Sequence, residues 1–192
     1  MDFFDSAYKG TPPWDIGRPQ KEFVELVRSG EITGSVLDIG CGTGDHALFF
    51  AGEGHDVWGV DATPLAIQKA QEKAKKRGLP VQFLVLDARD LSRLNRKFDT
   101  ATDSGLFHTL SDEDRPVFVD NLAAVLSPAG KYFMLCFSEL EPGGYGPRRI
   151  TEREIRNRFR DGWSVNYIRP AIFESHTREK GSCAYLSSIS KN

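Results

Sequence analysis

Alternating glycines follow an apolar run that contains one acidic residue. The run Ser35–Ile39 carries Asp38 and leads into a loop whose three glycines are Gly40, Gly42 and Gly44. Glycines permit a tight turn and let a ligand approach the backbone closely. A dinucleotide fingerprint, GxGxxG, would place its third glycine at position 45, which is Asp45. The pattern DxGxGxG therefore indicates a different ligand, and the carboxylate of Asp38 suits a cationic one.

Each of the next three apolar runs also leads to an acidic residue. Asp61 comes 17 residues after the last glycine of the loop, and a carboxylate there is placed to accept hydrogen bonds from both hydroxyls of a ribose. Asp87 follows the next run, where it would accept from the exocyclic amine of adenine while the amide of Ala88 donates to the ring. Asp103 and Ser104 end the run after that. Together these residues predict a site for ribose and adenine.

Alternating strands and helices must position these residues. The predicted strands are Ser35–Ile39, Val57–Val60, Val81–Leu86, Phe98–Thr102, Lys131–Phe137, Ser164–Ile168 with an extension toward Phe173, and Cys183–Ile189. Thr63 before Pro64 is typical of a helix start, and Thr151 with Glu154 forms a capping box. The alternation predicts βαβ units and a parallel sheet with helices on both faces. The carboxyl ends of its strands then share one binding rim.

Length and composition narrow the function classes. The 192 residues predict one domain, and a net charge of −2 gives no general attraction to nucleic acid or anionic lipid. Three cysteines, far apart in the chain, favour reduced thiols in a cytoplasmic protein. The segment MDFFDSAYKG lacks the pattern of a signal peptide, and no apolar stretch is long enough to span a membrane.

The stretch VLDIGCGTGDHALFFAGEGHDVWGVDATPLAIQKAQ, followed by LVLDARDL and FDTATDSGLFHTL, resembles the class I S-adenosylmethionine-dependent methyltransferases over about residues 35–137. The resemblance implies an α/β fold with three layers and a Rossmann-like sheet. Its seven strands are mostly parallel, and the last one, Cys183–Ile189 here, is antiparallel. It implies S-adenosylmethionine as cofactor and S-adenosylhomocysteine as product. The cofactor-binding residues it implies are Asp38, Gly40, Gly42, Thr43, Asp61, Ala62, Asp87, Ala88 and Ser104.

A second resemblance covers the segment PWDIGR, which begins at Pro13 and is similar to a segment of the thiopurine, thiol and halide methyltransferase group. In that group the tryptophan and its neighbours close over the cofactor. Trp14 would offer a π face to the sulfonium, and Arg18 would pair with the methionine carboxylate. Phe3, Phe4 and Tyr8 replace other tryptophans of that group. The pattern is more similar to methyltransferases of quinols and phenols, and a thiol, halide or thiopurine acceptor stays as the alternative.

Residues near the strand ends supply candidates for the acceptor side. Methyl transfer needs a base only where the acceptor must lose a proton, and His108, after the fourth strand, is the candidate base. We expect Tyr8, Tyr145 and Arg149 to contact the acceptor, the last two from the Gly- and Pro-rich loop 138–149. No His, Cys or Asp cluster has metal-ligand spacing, so we expect no metal.

The sequence analysis thus predicts one methyltransferase domain over residues 1–192. Residues 1–34 form an N-terminal lid and helix, residues 35–137 the cofactor-binding core, and residues 138–192 the acceptor loop and closing strands. We expect a small-molecule acceptor bearing an aromatic hydroxyl, quinol, nitrogen or thiol, no nucleic acid or membrane partner, and a monomer or homodimer. Two other functions stay open: a nucleotide-dependent oxidoreductase, which Asp45 disfavours, and a cofactor-binding regulator without catalysis.

Overall fold

A single seven-stranded sheet crosses the computed structural model, which describes residues 3–192. Residues 1 and 2 of the predicted lid lie outside the described residues. The strands are β1 (Ser35–Ile39), β2 (Asp56–Asp61), β3 (Val81–Val85), β4 (Phe98–Ser104), β5 (Leu126–Phe137), β6 (Trp163–Ser175) and β7 (Arg178–Lys191). Their order is β3-β2-β1-β4-β5-β7-β6, with β1 to β5 parallel and β7 antiparallel to both neighbours. This confirms the predicted fold.

Helices precede, separate and follow the parallel strands along the chain. They are α1 (Phe3–Ala7), α2 (Lys21–Arg28), α3 (Asp45–Gly52), α4 (Pro64–Arg77), α5 (Asp114–Val125) and α6 (Glu152–Arg158), with short 3-10 segments at Ala88–Leu94 and Phe107–Thr109. The capping box of Thr151 and Glu154 is present at the start of α6. Thr63 precedes α4 and Pro64 occupies its first turn as predicted, but the Thr63 hydroxyl makes no capping hydrogen bond.

Side chains that alternate along the strands divide the core into two layers. In β5, Tyr132 and Met134 face a layer that includes α5 and α6, whereas Phe133 and Leu135 face a layer that includes α2, α3 and α4. Strands buried on both faces are expected where helices cover a parallel sheet. Within residues 3–192 no helix is long and apolar enough to cross a membrane.

The C-terminal hairpin is longer than its hydrophobic pattern predicted. β6 and β7 pair from Trp163 opposite Lys191 to Ser175 opposite Arg178. Polar side chains and Pro170 in β6 obscure the alternation, and they are tolerated because β6 is the edge of the sheet. The turn between the two strands brings their joined ends toward the carboxyl end of β5, next to the predicted acceptor loop.

The strand order fixes the place of a ligand. The connection after β3 crosses to the other side of β1, so β4 lies beside β1 and the loops that follow these two strands diverge. A crevice at such a switch point is where open α/β sheets bind ligands. The glycine loop after β1 and residues Ser104 and Gly105 after β4 border it.

Candidate active site

A cavity of about 1280 Å³ opens at the carboxyl ends of the parallel strands. Its wall on the β1–β3 side includes Gly40, Asp61, Ala62, Asp87, Ala88 and Ser104. Six of the nine residues expected to bind cofactor from the glycine loop and strand ends therefore border one space. Asp38, Gly42 and Thr43 do not line the cavity: Asp38 is buried beneath the glycine loop, and Gly42 and Thr43 belong to the loop.

Asp61 fixes the glycine loop from the end of β2. Its Oδ2 accepts a hydrogen bond from the amide of Gly42 at 2.9 Å, and its Oδ1 accepts from the amide of Thr63 at 2.8 Å. Burial raises the pKa of this carboxyl, against the two amide hydrogen bonds. Each carboxylate oxygen has a second lone pair. Asp61 can therefore hold the loop and still accept hydrogen bonds from ligand hydroxyls.

Asp38 is buried beneath the loop. Thr102 donates to its Oδ1 at 2.9 Å, while Oδ2 has no partner of good hydrogen-bond geometry among residues 3–192. Burial raises the pKa of Asp38 to about 7, although the bond from Thr102 opposes the shift. A buried acceptor without a partner is costly unless a ligand supplies the donor. A ligand ammonium group would fit this requirement.

Asp103 supports a turn and does not belong to the binding rim. It is completely buried and accepts hydrogen bonds from the amides of Leu106 and Phe107 and from the hydroxyl of Tyr132. Burial raises its pKa to about 6. The grouping of Asp103 with the ligand-binding acids was wrong, and its neighbour Ser104 borders the cavity instead.

Asp87 has a different environment at the end of β3. Its Oδ1 accepts from the amide and Nε of Arg89, and its Oδ2 pairs with the same guanidinium at 2.6 Å. These contacts lower the pKa of Asp87. Arg89 also pairs with Asp114 at 3.0 Å, so the loop after β3 is joined to the start of α5.

The N-terminal segment, residues 3–18, closes the cavity from above. Trp14 donates its indole N–H to the hydroxyl of Tyr8 at 3.1 Å, and both rings border the cavity with Phe3 and Phe4. The Tyr8 hydroxyl lies 2.6 Å from where a Cβ on Gly42 would stand. Glycine at this position therefore lets Tyr8 rest on the loop, which connects the predicted cofactor and acceptor regions.

Asp15 and Lys73 are site-supporting residues that the sequence analysis missed. The hydroxyl of Thr43 donates to Asp15 Oδ1 at 3.0 Å and accepts from Lys73 Nζ at 2.7 Å. Lys73 also pairs with Asp45 at 2.9 Å. Thr43 is thus engaged by protein groups, and its predicted contact with the cofactor remains a prediction. The sequence feature that could have indicated these contacts is the pair Lys69 and Lys73, which lie four residues apart on one face of α4.

Arg18 lies elsewhere. Its guanidinium makes two hydrogen bonds to Glu174, at 3.0 and 2.8 Å, and its side chain is 56% exposed. It borders a separate surface groove beside Lys21 and not the cavity. The expected pairing of Arg18 with the cofactor carboxylate is therefore wrong, because its guanidinium group already binds the carboxylate of Glu174.

Aromatic side chains form the far end of the cavity. His108 packs edge-on against Phe137, with ring centroids 4.8 Å apart, and lies 5.9 Å from Phe173. The rings of Phe137 and Phe173 meet at 5.3 Å. Gly105, at φ +86°, leaves the space: a Cβ there would lie 3.0 Å from Phe173 and 3.3 Å from Nε2 of His108. A flat apolar ring fits such walls.

The sequence predicts His108 as a base, but its hydrogen bond and its lowered pKa do not suit that role. The backbone amide of Phe137 donates to Nδ1 of His108 at 2.9 Å. Burial, with the charges of Arg149 and Arg115 nearby, lowers the pKa of His108 to about 3. The single lone pair of the neutral ring is thus engaged. The structure corrects the predicted role: His108 borders the cavity but does not offer it a basic nitrogen.

Arg149 organises the loop after β5 from within. Its guanidinium donates to backbone carbonyls of the loop, which belong to Glu141, Pro142, Tyr145 and Pro147. It does not line the cavity, which corrects its expected contact with the acceptor. Tyr145 does line it, with the guanidinium of Arg178 4.2 Å from its ring centroid. Arg178 in turn pairs with the buried Glu141 at 2.5 Å.

The carboxylates at this edge of the sheet fit a nucleoside that carries a charged amine. Carboxylates at the ends of β1, β2 and β3 suit an ammonium group, two hydroxyls and an aromatic amine, and Asp38 retains an unpaired oxygen. Among residues 3–192, no three His, Cys, Asp or Glu side chains are grouped to hold a metal ion. The residues present therefore fit S-adenosylmethionine as the sequence predicts.

Several known proteins similar to this chain are named methyltransferases. Residues 36–130 match a family model described as a methyltransferase domain. A 2-heptyl-1-hydroxyquinolin-4(1H)-one methyltransferase of Mycobacteroides abscessus is 37% identical over 182 residues, 89% of this chain and 80% of that protein. A probable thiol methyltransferase of Arabidopsis thaliana is 27% identical over 147 residues, which are 76% of this chain and 65% of that protein.

Solved structures are also similar. One, described as "Conversion of a Disulfide Bond into a Thioacetal Group during Echinomycin Biosynthesis", has a TM-score of 0.89 and 32% identity, and covers 98% of this chain and 91% of its own. Identity of this size over most of both chains establishes membership of a family, not of a fold alone. The chain belongs to the S-adenosylmethionine-dependent methyltransferases of class I and methylates small molecules.

Proposed function

We propose that the acceptor is a flat aromatic or heteroaromatic compound and that its hydroxyl oxygen receives the methyl group. The observation that carries the proposal is the arrangement of Phe137, Phe173 and His108 at the far end of the cavity. Ring walls meeting at steep angles suit an inserted ring, and His108 adds one polar group. The relative from M. abscessus is named for an N-hydroxylated quinolone, a compound of this class.

The cofactor end is assigned to residues at the strand ends and beneath the glycine loop. We assign Asp61 to the ribose hydroxyls, Asp87 and Ala88 to adenine, and the buried Asp38 to the ammonium group. Bound there, S-adenosylmethionine supplies a methyl group carried by a sulfonium sulfur. Trp14 and Tyr8 cover this end and exclude water.

The protein's contribution is then mainly positioning. Holding two reactants in line supplies on the order of 7–11 kcal/mol of a barrier. The aromatic walls hold the acceptor ring, and the N-terminal segment and loop 138–149 enclose it. Tyr145 borders the cavity from that loop and belongs to the acceptor side of this proposal.

A sulfur acceptor is the second candidate. One relative is named a thiol methyltransferase, and the similar structure at 32% identity concerns the conversion of a disulfide. An aromatic thiol would meet the same ring walls. The two candidates differ in the atom that is methylated.

An acceptor panel tests the proposal. Purified protein is incubated with S-adenosylmethionine and matched pairs of phenols and thiophenols, N-hydroxyquinolones, alkyl thiols and iodide, and S-adenosylhomocysteine is measured. We expect turnover with aromatic hydroxyl compounds and identification of the O-methyl product by mass spectrometry. Turnover confined to thiols or halides would overturn the assignment to oxygen and favour the second candidate.

A further inference from the structure

His108 presents a nitrogen–hydrogen bond, and not a lone pair, to the acceptor end of the cavity. Its Nδ1 accepts the amide hydrogen of Phe137 at 2.9 Å, so Nδ1 carries no proton. In a neutral imidazole the other nitrogen then carries the hydrogen. Nε2 lies beside Gly105, which borders the same cavity. The chemistry available at this point is donation of a hydrogen bond.

The surrounding groups prevent the two nitrogens from exchanging these roles. Phe137 and Phe173 pack against the ring of His108, and the ring is 5% exposed. Turning it over would leave the buried amide of Phe137 without an acceptor, which is costly. The tautomer is therefore fixed by the backbone of β5.

Two positive charges act on His108, and a third lies on the cavity wall. Arg115 belongs to α5 and Arg149 to loop 138–149, and both oppose a further proton on the ring. Arg178 of β7 borders the cavity at the same end. Positive charge together with an N–H donor stabilises an anion bound nearby.

Of the other acidic side chains on the cavity wall, Tyr8, Asp61, Asp87 and Asp114 have protein partners. Tyr8 accepts from Trp14, and burial raises its pKa. Asp61 accepts hydrogen bonds from two backbone amides, and Asp87 and Asp114 both form ion pairs with Arg89. Asp5 of α1 is the remaining carboxylate on the wall, at the N-terminal segment.

We propose that Nε2–H of His108 donates to the acceptor oxygen and that the acceptor is bound as an anion. The substrate class narrows to hydroxyl compounds that ionise near neutral pH, such as electron-poor phenols and N-hydroxy heteroaromatics. The hydroxyl proton passes to water before transfer. The new carbon–oxygen bond then forms as the carbon–sulfur bond breaks, and that electron pair stays on sulfur. This inference rests on the proposed aromatic hydroxyl acceptor.

A bound chromophore tests the donor directly. 4-Nitrophenol absorbs differently when ionised, so its apparent pKa is measured by pH titration on protein saturated with S-adenosylhomocysteine. We expect the pKa of the bound probe to be lower on the wild type than on His108→Leu by about one unit, a tenfold change in ionisation. His108→Gln, which retains an amide donor, recovers part of the shift. An equal probe pKa on wild type and His108→Leu would overturn the inference.

Two variants control the titration. Phe173→Leu removes a ring wall but no donor, so it weakens binding of the ionised and neutral probe alike and leaves the pKa of the bound probe unchanged. Asp5→Asn removes the remaining carboxylate; we expect turnover of 4-nitrophenol to persist. Loss of turnover in Asp5→Asn with normal cofactor affinity would make Asp5 the base and overturn the inference.

Nitrogen-15 NMR of histidine-labelled wild type needs no variant at position 108 to fold. We expect one histidine with an unprotonated Nδ1 and a protonated Nε2 whose state is constant from pH 6 to 8, assigned in the wild type by its proximity to the rings of Phe137 and Phe173. A protonated Nδ1 would refute the donor role. If the acceptor panel finds no aromatic hydroxyl substrate, the proposed function fails although this NMR result stands. If phenols are methylated but the probe pKa is unaffected by His108, only the present inference fails.

Discussion

The hydroxyl of Thr43 donates to Oδ1 of Asp15 across 3.0 Å and joins the glycine loop to the N-terminal segment. Lys73 donates to the same hydroxyl at 2.7 Å. Lys69, one turn earlier on α4, donates to the carbonyls of Tyr8 and Gly10. The glycine loop and the N-terminal segment are therefore both bound to α4. A change that makes one of them more mobile should make the other more mobile too.

Asp15→Ala breaks this connection. We expect affinity for S-adenosylhomocysteine, measured by calorimetry, to fall about tenfold, because a lost charge-assisted hydrogen bond corresponds to roughly 1.5–3 kcal/mol less a part recovered by water. Hydrogen exchange of amides in residues 8–18 should become faster. Thr43→Val should act similarly, and the double variant should be little worse than either single one.

The control for this prediction is Glu25→Gln, which removes an exposed ion pair with Arg28 on α2. Such pairs contribute about 0–1 kcal/mol, so cofactor affinity should be unchanged. Fully additive effects of Asp15→Ala and Thr43→Val would show that the two side chains act separately and would contradict the connection.

Asp61→Ala tests the ribose assignment. The carboxylate holds the amides of Gly42 and Thr63, so its loss should both loosen the loop and remove the acceptor for the hydroxyls. We expect binding of S-adenosylhomocysteine to weaken by about 1–3 kcal/mol, the cost of unmatched buried polar groups. Asp56→Asn, at the exposed start of the same strand, is the matched control. Unchanged affinity in Asp61→Ala would remove this residue from the cofactor site.

The sequence predicted the sheet and the position of the glycine loop at its carboxyl edge, because both depend on local patterns. Apolar runs define the strands, and the glycine loop and Asp61 follow directly from strand ends. Side chains that find partners far along the chain were less predictable. Arg18 binds Glu174, 156 residues away. Asp103 accepts hydrogen bonds from backbone amides and from the hydroxyl of Tyr132. No local pattern records such pairing.

The tautomer of His108 illustrates the same limit. Its position after β4 was visible in the sequence, but its protonation depends on the amide of Phe137, 29 residues later in β5. Neighbouring parallel strands bring the two together through their register. Only the three-dimensional arrangement distinguishes a base from a donor here.

Gly105→Ala should impair the acceptor end selectively. The residue has φ +86°, and its added Cβ would meet Phe173 at 3.0 Å and Nε2 of His108 at 3.3 Å. We expect the KM for the acceptor to rise and kcat to fall, while calorimetry shows unchanged affinity for S-adenosylhomocysteine. Backbone strain alone should cost about 1 kcal/mol of stability.

Gly54→Ala separates strain from the clash. Gly54 has a similar φ of +94°, and among residues 3–192 no atom lies within 4 Å of the point that an added Cβ would occupy. It should lose stability to a similar degree and retain its kinetic constants. Equal kinetic damage in both variants would indicate general destabilisation and not a packing effect at the acceptor.

Asp38 should make stability depend on pH in a defined direction. Burial raises its pKa from 3.8 to about 7 in the folded chain. Between these values the folded state retains a proton that the unfolded state has released, so this residue's contribution to stability falls as the pH rises. His46 and His108 act oppositely, because burial lowers their pKa values to about 4 and about 3, and folding then weakens as the pH falls.

A difference measurement isolates the carboxyl from the histidines. Urea unfolding of wild type and Asp38→Asn is compared from pH 4.5 to 8, and the effects of His46 and His108 cancel because both proteins contain them. The stability of the wild type relative to the variant should fall by about 3 kcal/mol between pH 4.5 and 8, with most of the fall below pH 7 and little above it. A flat difference for Asp38→Asn would mean that Asp38 is already ionised in the folded protein, against the raised pKa.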